Sequence, residues 1–408
     1  MTKTTVESST GNLIVSGKRV FPIGLSDPPP VDGVTPGGGN AWAEIARAGV
    51  TFARNYTVWT EAAAAEQLIS VGRQLDAASK HGLQIWLALA GVDNDLSHQA
   101  LLTRVVNIVK GHPGLGAWKG ADEPAHGHVP AAGLVAVRKH LRSLDADHPL
   151  VIIQAPRAPA SSPKGADKPL TAASVAPYAA ACDIHGVDIY PVSKPAGMHA
   201  GGPPVSTDIS VVGDMTAIIA KATRRKAIWM TLQISWSGVF PPHPVVMPTL
   251  QQARFMAYDA IVAGARGLFF FGGQYKQVMN AADRERGWNW TYWNEVQRPL
   301  VEELASADHA PALTALPSSH AIRTTAPHIG LSAREAGGFL YLIAVRRSPA
   351  ATGKVRFTGL PARITHGIVL AHGRDNPERA VTASGGAFTD PSPFGPHNAR
   401  VYRFPLPG

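Results

Sequence analysis

The sequence predicts an α/β protein, a (β/α)8 TIM barrel followed by a small C-terminal antiparallel β-sandwich. From about Arg19 to Leu304, short apolar runs alternate with longer amphipathic stretches, the pattern of parallel strands covered by helices. The strand-like runs number eight, the count that closes a barrel. Beyond Leu316 the runs are short, β-rich and punctuated by Gly337-Gly338, Gly353, Gly359 and Gly385-Gly386, as in a sandwich of turns and short strands. These features divide the chain into a barrel at 13–315 and a sandwich at 316–408, with the boundary near Ala315 to Ser319.

The expected barrel strands, in order, are Val20 to Gly24, Thr51 to Asn55, Leu83 to Leu89, Leu115 to Ala121, Leu150 to Gln154, Asp183 to Asp188, Ala227 to Leu232 and Gly267 to Phe271. The clearest helical periodicities are Ala62 to His81, Gln99 to Lys110, Ala131 to Leu144, Thr249 to Ala263 and Asn294 to Ala305. A doubly wound open sheet is the rival architecture. Its phosphate-binding glycine turn is missing after the first strand, where the chain reads Gly24-Leu25-Ser26-Asp27-Pro28-Pro29-Pro30, so the barrel is preferred. Arg157 to Pro169, rich in Pro, Ala, Ser and Lys, reads as a surface loop after the fifth strand. The expected sandwich strands include Phe339 to Val345, Val355 to Phe357 and Ala399 to Phe404.

The 408 residues are 45% hydrophobic and 16% charged, which supports a large core and excludes global disorder. No apolar run approaches the ~18 residues that cross a bilayer, so membrane insertion is not expected. The opening MTKTTVESSTGN has no apolar signal core. That leaves a cytoplasmic protein, or a secreted or periplasmic one whose leader has been removed. The single cysteine, Cys182, excludes an internal disulfide and reads as a small buried residue. The net charge of +9 comes from scattered residues whose densest cluster is Arg224-Arg225-Lys226. With no nucleic-acid motif present, the charge is read as a matter of solubility, and nucleic acid is not the expected partner. Nothing in the sequence sets an oligomeric state.

The most telling stretch is Ala117-Trp118-Lys119-Gly120-Ala121-Asp122-Glu123-Pro124. It is an apolar strand that runs into two carboxylates and is then stopped by proline. In a barrel, chemistry is done at the C-terminal ends of strands. The other ends supply Ser26 and Asp27, Arg54-Asn55-Tyr56, Asp93 with Asp95, Gln154, Asp188-Ile189-Tyr190-Pro191, Gln233 with Trp236, and Gly272-Gly273-Gln274. Trp59, Trp288 and Trp290 lie in nearby loops. Carboxylates handle protons and oxocarbenium charge, amides bond hydroxyls, and rings offer a flat apolar face, so the set suits a sugar. Trp86, Trp118 and Trp229, within strands, are expected in the core. Asp188 also reads as a turn acid, and Arg54 as the partner of a neighbouring strand-end acid. His126 and His128 follow Glu123 without partners for a metal, so no metal site and no cofactor are expected.

On these residues the chain resembles the clan of (β/α)8 glycoside hydrolases in which strand four ends in Asn-Glu-Pro or a variant. The matching residues are Asp122-Glu123-Pro124, with Asp122 in place of the usual Asn. Phe21-Pro22-Ile23-Gly24, Arg54-Asn55, Asp188-Ile189-Tyr190-Pro191 and the appended β-sandwich agree with it. The resemblance implies that Glu123 is the general acid/base. It also implies a nucleophilic Glu at the end of strand seven, where this chain has Ala227-Ile228-Trp229-Met230-Thr231-Leu232-Gln233 and no acid. Asp188 is therefore expected to be the second catalytic carboxylate, ahead of Asp27, Asp93 and Glu285. Asp27, Arg54, Asn55, Asp122, His126, Gln154, Tyr190, Gln233 and Trp236 are expected to bind substrate, Gln233 by holding a sugar hydroxyl or a water. Glu123 is expected to be protonated, chiefly through burial. The readings are a glycosidase, a carbohydrate-binding barrel that has lost hydrolysis, and a nucleic-acid binder with an incidental rim.

Overall fold

A computed structural model describes residues 3–158, 168–194, 196, 208–224, 227–235, 244–371 and 376–407. Eight parallel strands close a barrel: β1 (Ile23–Leu25), β2 (Phe52–Arg54), β3 (Gln84–Ala88), β4 (Leu115–Asp122), β5 (Leu150–Gln154), β6 (Ile184–Asp188), β7 (Ala227–Gln233) and β8 (Gly267–Phe271). Each pairs with its neighbours in sequence, and β8 returns to β1. The expected helices form at Ala64–Lys80, Gln99–Val109, Ala131–Leu144 and Leu250–Ala263. The last is opened by a capping box between Thr249 and Gln252, which satisfies backbone donors at the helix start.

The inward faces of the strands fill the barrel with Phe52, Trp86, Ala117, Val151, Ile153, Ile184, Ala227, Trp229 and Phe269. Three of the rings pack closely, Trp86 tilted against Phe269 at 4.7 Å and Trp229 stacked on it at 5.0 Å between centroids. Small residues make this possible. A Cβ on Gly24 would lie 2.3 Å from the Phe269 ring, and one on Gly267 would lie 2.7 Å from that of Trp229. Trp118 faces outward and donates to Asp145 Oδ2 at 2.8 Å. All three in-strand tryptophans are core residues, and Cys182 is buried.

Two elements differ from the sequence reading. The first expected strand is split at Phe21-Pro22: Lys18–Val20 joins Thr4–Val6 and Leu13–Val15 in a small antiparallel sheet, and only Ile23–Leu25 enters the barrel. Proline has no N–H to continue a ladder, which explains the break. Leu13 belongs to the same buried cluster as the barrel's interior residues, with Val6 and Val15 packed against that cluster, so this sheet stops the N-terminal mouth. The helix expected from Asn294 begins as a π-helical turn, Trp293–Gln297, and becomes α-helical at Arg298–Ala305.

After the helix Ala310–Thr314 the chain enters one eight-stranded antiparallel sheet that curls around its own core of Leu340, Leu342, Phe357, Phe388, Phe394, Tyr402 and Phe404. The strand Phe339–Arg346 is buried on both faces. Leu340, Leu342 and Ala344 enter the sheet's core, while Tyr341, Ile343 and Val345 join the main core outside the barrel. Arg334 ties the two units, donating to the carbonyls of Ile261, Ala312 and Leu313 at 2.8, 3.2 and 3.0 Å.

Candidate active site

The C-terminal end of the barrel gathers a set of titratable groups around the tip of β4. The β4–β5 ladder shifts register between Lys119 and Asp122, a bulge of the kind that re-aims side chains. Asp122 consequently faces inward, and its carboxylate is gripped on both oxygens. Lys119 Nζ lies 2.9 Å from Oδ1, and Arg54 Nη2 donates to Oδ2 at 2.9 Å. Burial works to push the Asp122 carboxyl up, but Lys119 and Arg54 outweigh it and hold it well below the usual carboxylate range. Asp122 still presents 55% of its side chain to the basin, so it is an ionised, accessible anion. Arg54 itself is stacked against the Tyr56 ring, 4.2 Å from its centroid.

Glu123 follows with φ +47°, an uncommon conformation for a side-chain-bearing residue, and its N–H donates to Ile153 O at 2.8 Å. It is half-buried. Its carboxyl group is in hydrogen-bonding contact with Asp188, at the end of β6. Asp188 is only 8% exposed. Burial first, then the negative charges of Glu123 and Asp122, push its carboxyl well above the usual range, against an opposing hydrogen bond from Tyr190. The strong burial expected for Glu123 thus falls on Asp188. The Asp188 carboxyl is driven toward its neutral form where it meets Glu123. Their contact is also closer than the ~5–5.5 Å or ~6.5–9.5 Å that separate retaining or inverting carboxyl pairs.

Several expected binding residues join this centre. Tyr190, buried beside Asp188, stacks on Phe271 at 5.1 Å between centroids. Asp27 is buried, accepts from Gly272 N at 2.6 Å and is bonded by the Tyr56 hydroxyl. Burial pushes the Asp27 carboxyl up, and these bonds oppose it. Asp93 is also buried and is pushed up to about 6 by burial, with Lys119 opposing. His126 is half-buried in the turn after Pro124.

Others are turned away from the basin. The Asn55 amide donates to Gln74 Oε1 at 2.7 Å and its Oδ1 accepts from Thr57 N at 2.9 Å, so it braces a turn against the helix Ala64–Lys80. Gln154 is fully buried on the outward face of β5, where its Oε1 accepts from Ala125 N at 3.1 Å and its Nε2 meets His185 at 3.1 Å. Gln233 is expected to hold a sugar hydroxyl, yet it is 1% exposed and spent on the backbone. Its Oε1 accepts from Val192 N at 3.0 Å, and its Nε2 donates to Val192 O at 2.6 Å and Val246 O at 3.4 Å. Trp236 and most of the Arg224-Arg225-Lys226 cluster lie outside the described residues, as does most of the loop Arg157 to Pro169. Glu285 is exposed on the short helix Ala281–Arg286.

The aromatic residues also differ from expectation. Trp59, Trp288 and Trp290 are buried, with Trp59 donating to Ala88 O and Trp288 to Asp27 O, each at 2.8 Å. Among the described residues of the rim, rings reach solvent at Tyr56, 43% exposed, and at the partly exposed Phe271 and Tyr275. Sequence reasoning missed Lys119. A lysine between Trp118 and Gly120 in an otherwise apolar strand was the signal, since buried lysines are rare without a partner. Among the described residues no His, Cys, Asp and Glu cluster forms a metal site, and no helix is long and apolar enough to cross a membrane.

No protein-family model matches the chain, and no curated protein matches it. Solved structures do. One described as a glycoside hydrolase aligns with a TM-score of 0.66 at 12% identity, over 99% of this chain and 97% of its own. A family 5 glycoside hydrolase from Bacteroides vulgatus gives 0.63 at 12% identity, over 99% and 94%. A GH30 endoxylanase from Clostridium papyrosolvens gives 0.52 at 10% identity, over 99% and 100%. The chain therefore has the glycoside-hydrolase-like architecture of a TIM barrel with a C-terminal antiparallel sheet. At these identities the likeness concerns the fold alone.

Proposed function

We propose that this protein is a glycoside hydrolase acting on an oligo- or polysaccharide, with Glu123 as general acid/base. The observation that carries the reading is the Glu123–Asp188 carboxyl pair beside an Asp122 carboxylate held ionised. Groups pushed apart in acidity within one cleft are the usual means of supplying both a proton and a fixed negative charge. In this reading Glu123, the more accessible partner, protonates the glycosidic oxygen. Asp188 is assigned as the proton partner of Glu123, not as a separate attacking carboxylate, because the two groups touch. Asp122 faces the oxocarbenium charge that develops as the bond breaks. Asp27, Arg54, His126 and Tyr190 remain proposed contacts or supports of the sugar, and Tyr56, Phe271 and Tyr275 offer ring faces.

A carbohydrate-binding barrel without hydrolysis is the second reading, favoured by the amide at the end of β7. The test is a hydrolysis screen on varied glycans with wild type and Glu123→Gln. The account expects the variant to lose about 10²–10⁴-fold in turnover with its melting temperature nearly unchanged. Equal turnover in both proteins removes the assignment. A wild type that binds a glycan and cleaves none leaves the binding reading.

A further inference from the structure

Three steps along β4, from Lys119 to Asp122, answer only two along β5, from Val151 to Ile153. In a regular strand residues three apart point to opposite faces. The shift brings Asp122 to the inward face with Lys119, and it leaves the Gly120 and Ala121 carbonyls turned toward the lysine. Lys119 Nζ donates to Gly120 O at 2.7 Å and Ala121 O at 3.1 Å, and pairs with Asp122 Oδ1 at 2.9 Å. All three neighbours are acceptors. An ammonium has three hydrogens to give and a neutral amine has two, so the arrangement fits only the charged form. The side chain is 2% exposed.

We infer that Lys119, from inside the barrel, is the positioning residue that holds the β4 bulge and so aims Asp122 and Glu123 into the basin. Glu123 needs such a hold. It has φ +47° and precedes Pro124, and a residue before proline favours extended backbone, so its conformation persists only where the surroundings determine it. Removing the ammonium leaves two inward carbonyls and the Asp122 carboxylate without it. The inexpensive response of the strand is to close the bulge and carry Asp122 and Glu123 away from Arg54 and Asp188.

The kinetic part of this inference rests on the glycosidase reading, and the structural part does not. Three measurements separate them. Nitrogen-15 NMR of Lys119 Nζ in the wild-type protein at neutral pH should show an ammonium in slow exchange; a neutral amine there overturns the inference. Crystal structures of Lys119→Met should show a regular β4–β5 ladder with Glu123 out of the positive-φ region, whereas Lys119→Gln, whose amide can serve both carbonyls, should keep the bulge. An unchanged β4 in Lys119→Met overturns the inference, and if that variant does not fold, the NMR result and Lys119→Gln decide it. In hydrolysis, Lys119→Met should lose about 100-fold in kcat with KM within about threefold. Leu13→Ala, an interior change at the opposite, N-terminal mouth of the barrel, should lower the melting temperature and keep kcat; an equal loss of kcat at an equal loss of stability reduces Lys119 to a structural role. A wild type that cleaves no glycan sinks the glycosidase reading while the NMR and crystallographic outcomes still judge Lys119.

Discussion

Asp122 and Asp188 stand in one basin and respond to burial in opposite ways, because two cations grip one and a second carboxyl touches the other. This contrast predicts the behaviour of Asp188→Asn. Burial and the neighbouring Glu123 and Asp122 drive the Asp188 carboxyl toward its neutral form, and an amide of the same shape replaces that form without adding charge. The melting temperature of the variant at neutral pH should stay close to wild type, while hydrolysis should fall by orders of magnitude because Glu123 loses its proton partner. Thermal melts and a glycan assay check both halves, and a variant that hydrolyses normally refutes the role. At this scale the sequence was legible where a functional group ended a strand and faced inward, as with Arg54, Asp122, Asp188 and Tyr190. It misled where position at a strand end did not fix direction. Asn55, Gln154 and Gln233 all sit at such ends, and each spends its amide on a turn, a neighbouring loop or a helix.

Single elements carry two further consequences. The end of β7 is clasped to the loop after β6 by Gln233, whose Nε2 serves the carbonyls of Val192 and Val246. Gln233→Glu would set a carboxylate against those carbonyls, and leaving buried groups unpaired costs about 1–3 kcal/mol each. Melting should therefore fall and no hydrolysis should be gained; a stable variant with new activity would show that the side chain swings into the basin. The second concerns the helix Leu250–Ala263, where Asp259 accepts from Gly213 N at 2.8 Å and meets Arg347 Nε of the C-terminal sheet at 2.9 Å. Burial pushes Asp259 up to about 7, with Arg347 opposing, whereas an unfolded aspartate titrates near ~3.9. Between these values the folded state binds more protons than the unfolded one. The stability Asp259 contributes is thus full below about pH 4 and is lost as pH rises through about 7. Asp259→Asn should flatten the fall in melting temperature across that window, and an unaltered slope would contradict the assignment. The order of the eight strands was legible from alternation alone. The N-terminal sheet was not, because Val20 and Ile23 read as one apolar run and only Pro22 hinted at the break.

For the whole molecule, the strand Phe339–Arg346 serves two cores at once, and Arg334 anchors the sheet to the barrel's outer helices. Barrel and sheet should accordingly unfold in one transition by calorimetry and by circular dichroism; two separated transitions would show that the shared strand does not couple them. Its sequence, Phe339-Leu340-Tyr341-Leu342-Ile343-Ala344-Val345, is apolar without alternation, a pattern of burial on both faces, although from sequence it is expected only as a sandwich strand. The central claim is that Glu123 meets the glycosidic oxygen at the tip of β4. The most direct measurement is a crystal structure of Glu123→Gln soaked with an oligosaccharide that the wild type cleaves. The account predicts a glycosidic oxygen about 2.6–3.2 Å from the residue-123 side chain, with Asp122 beside the ring of the sugar whose bond is broken. A sugar seated elsewhere, or one whose glycosidic oxygen lies beyond reach of that side chain, contradicts it.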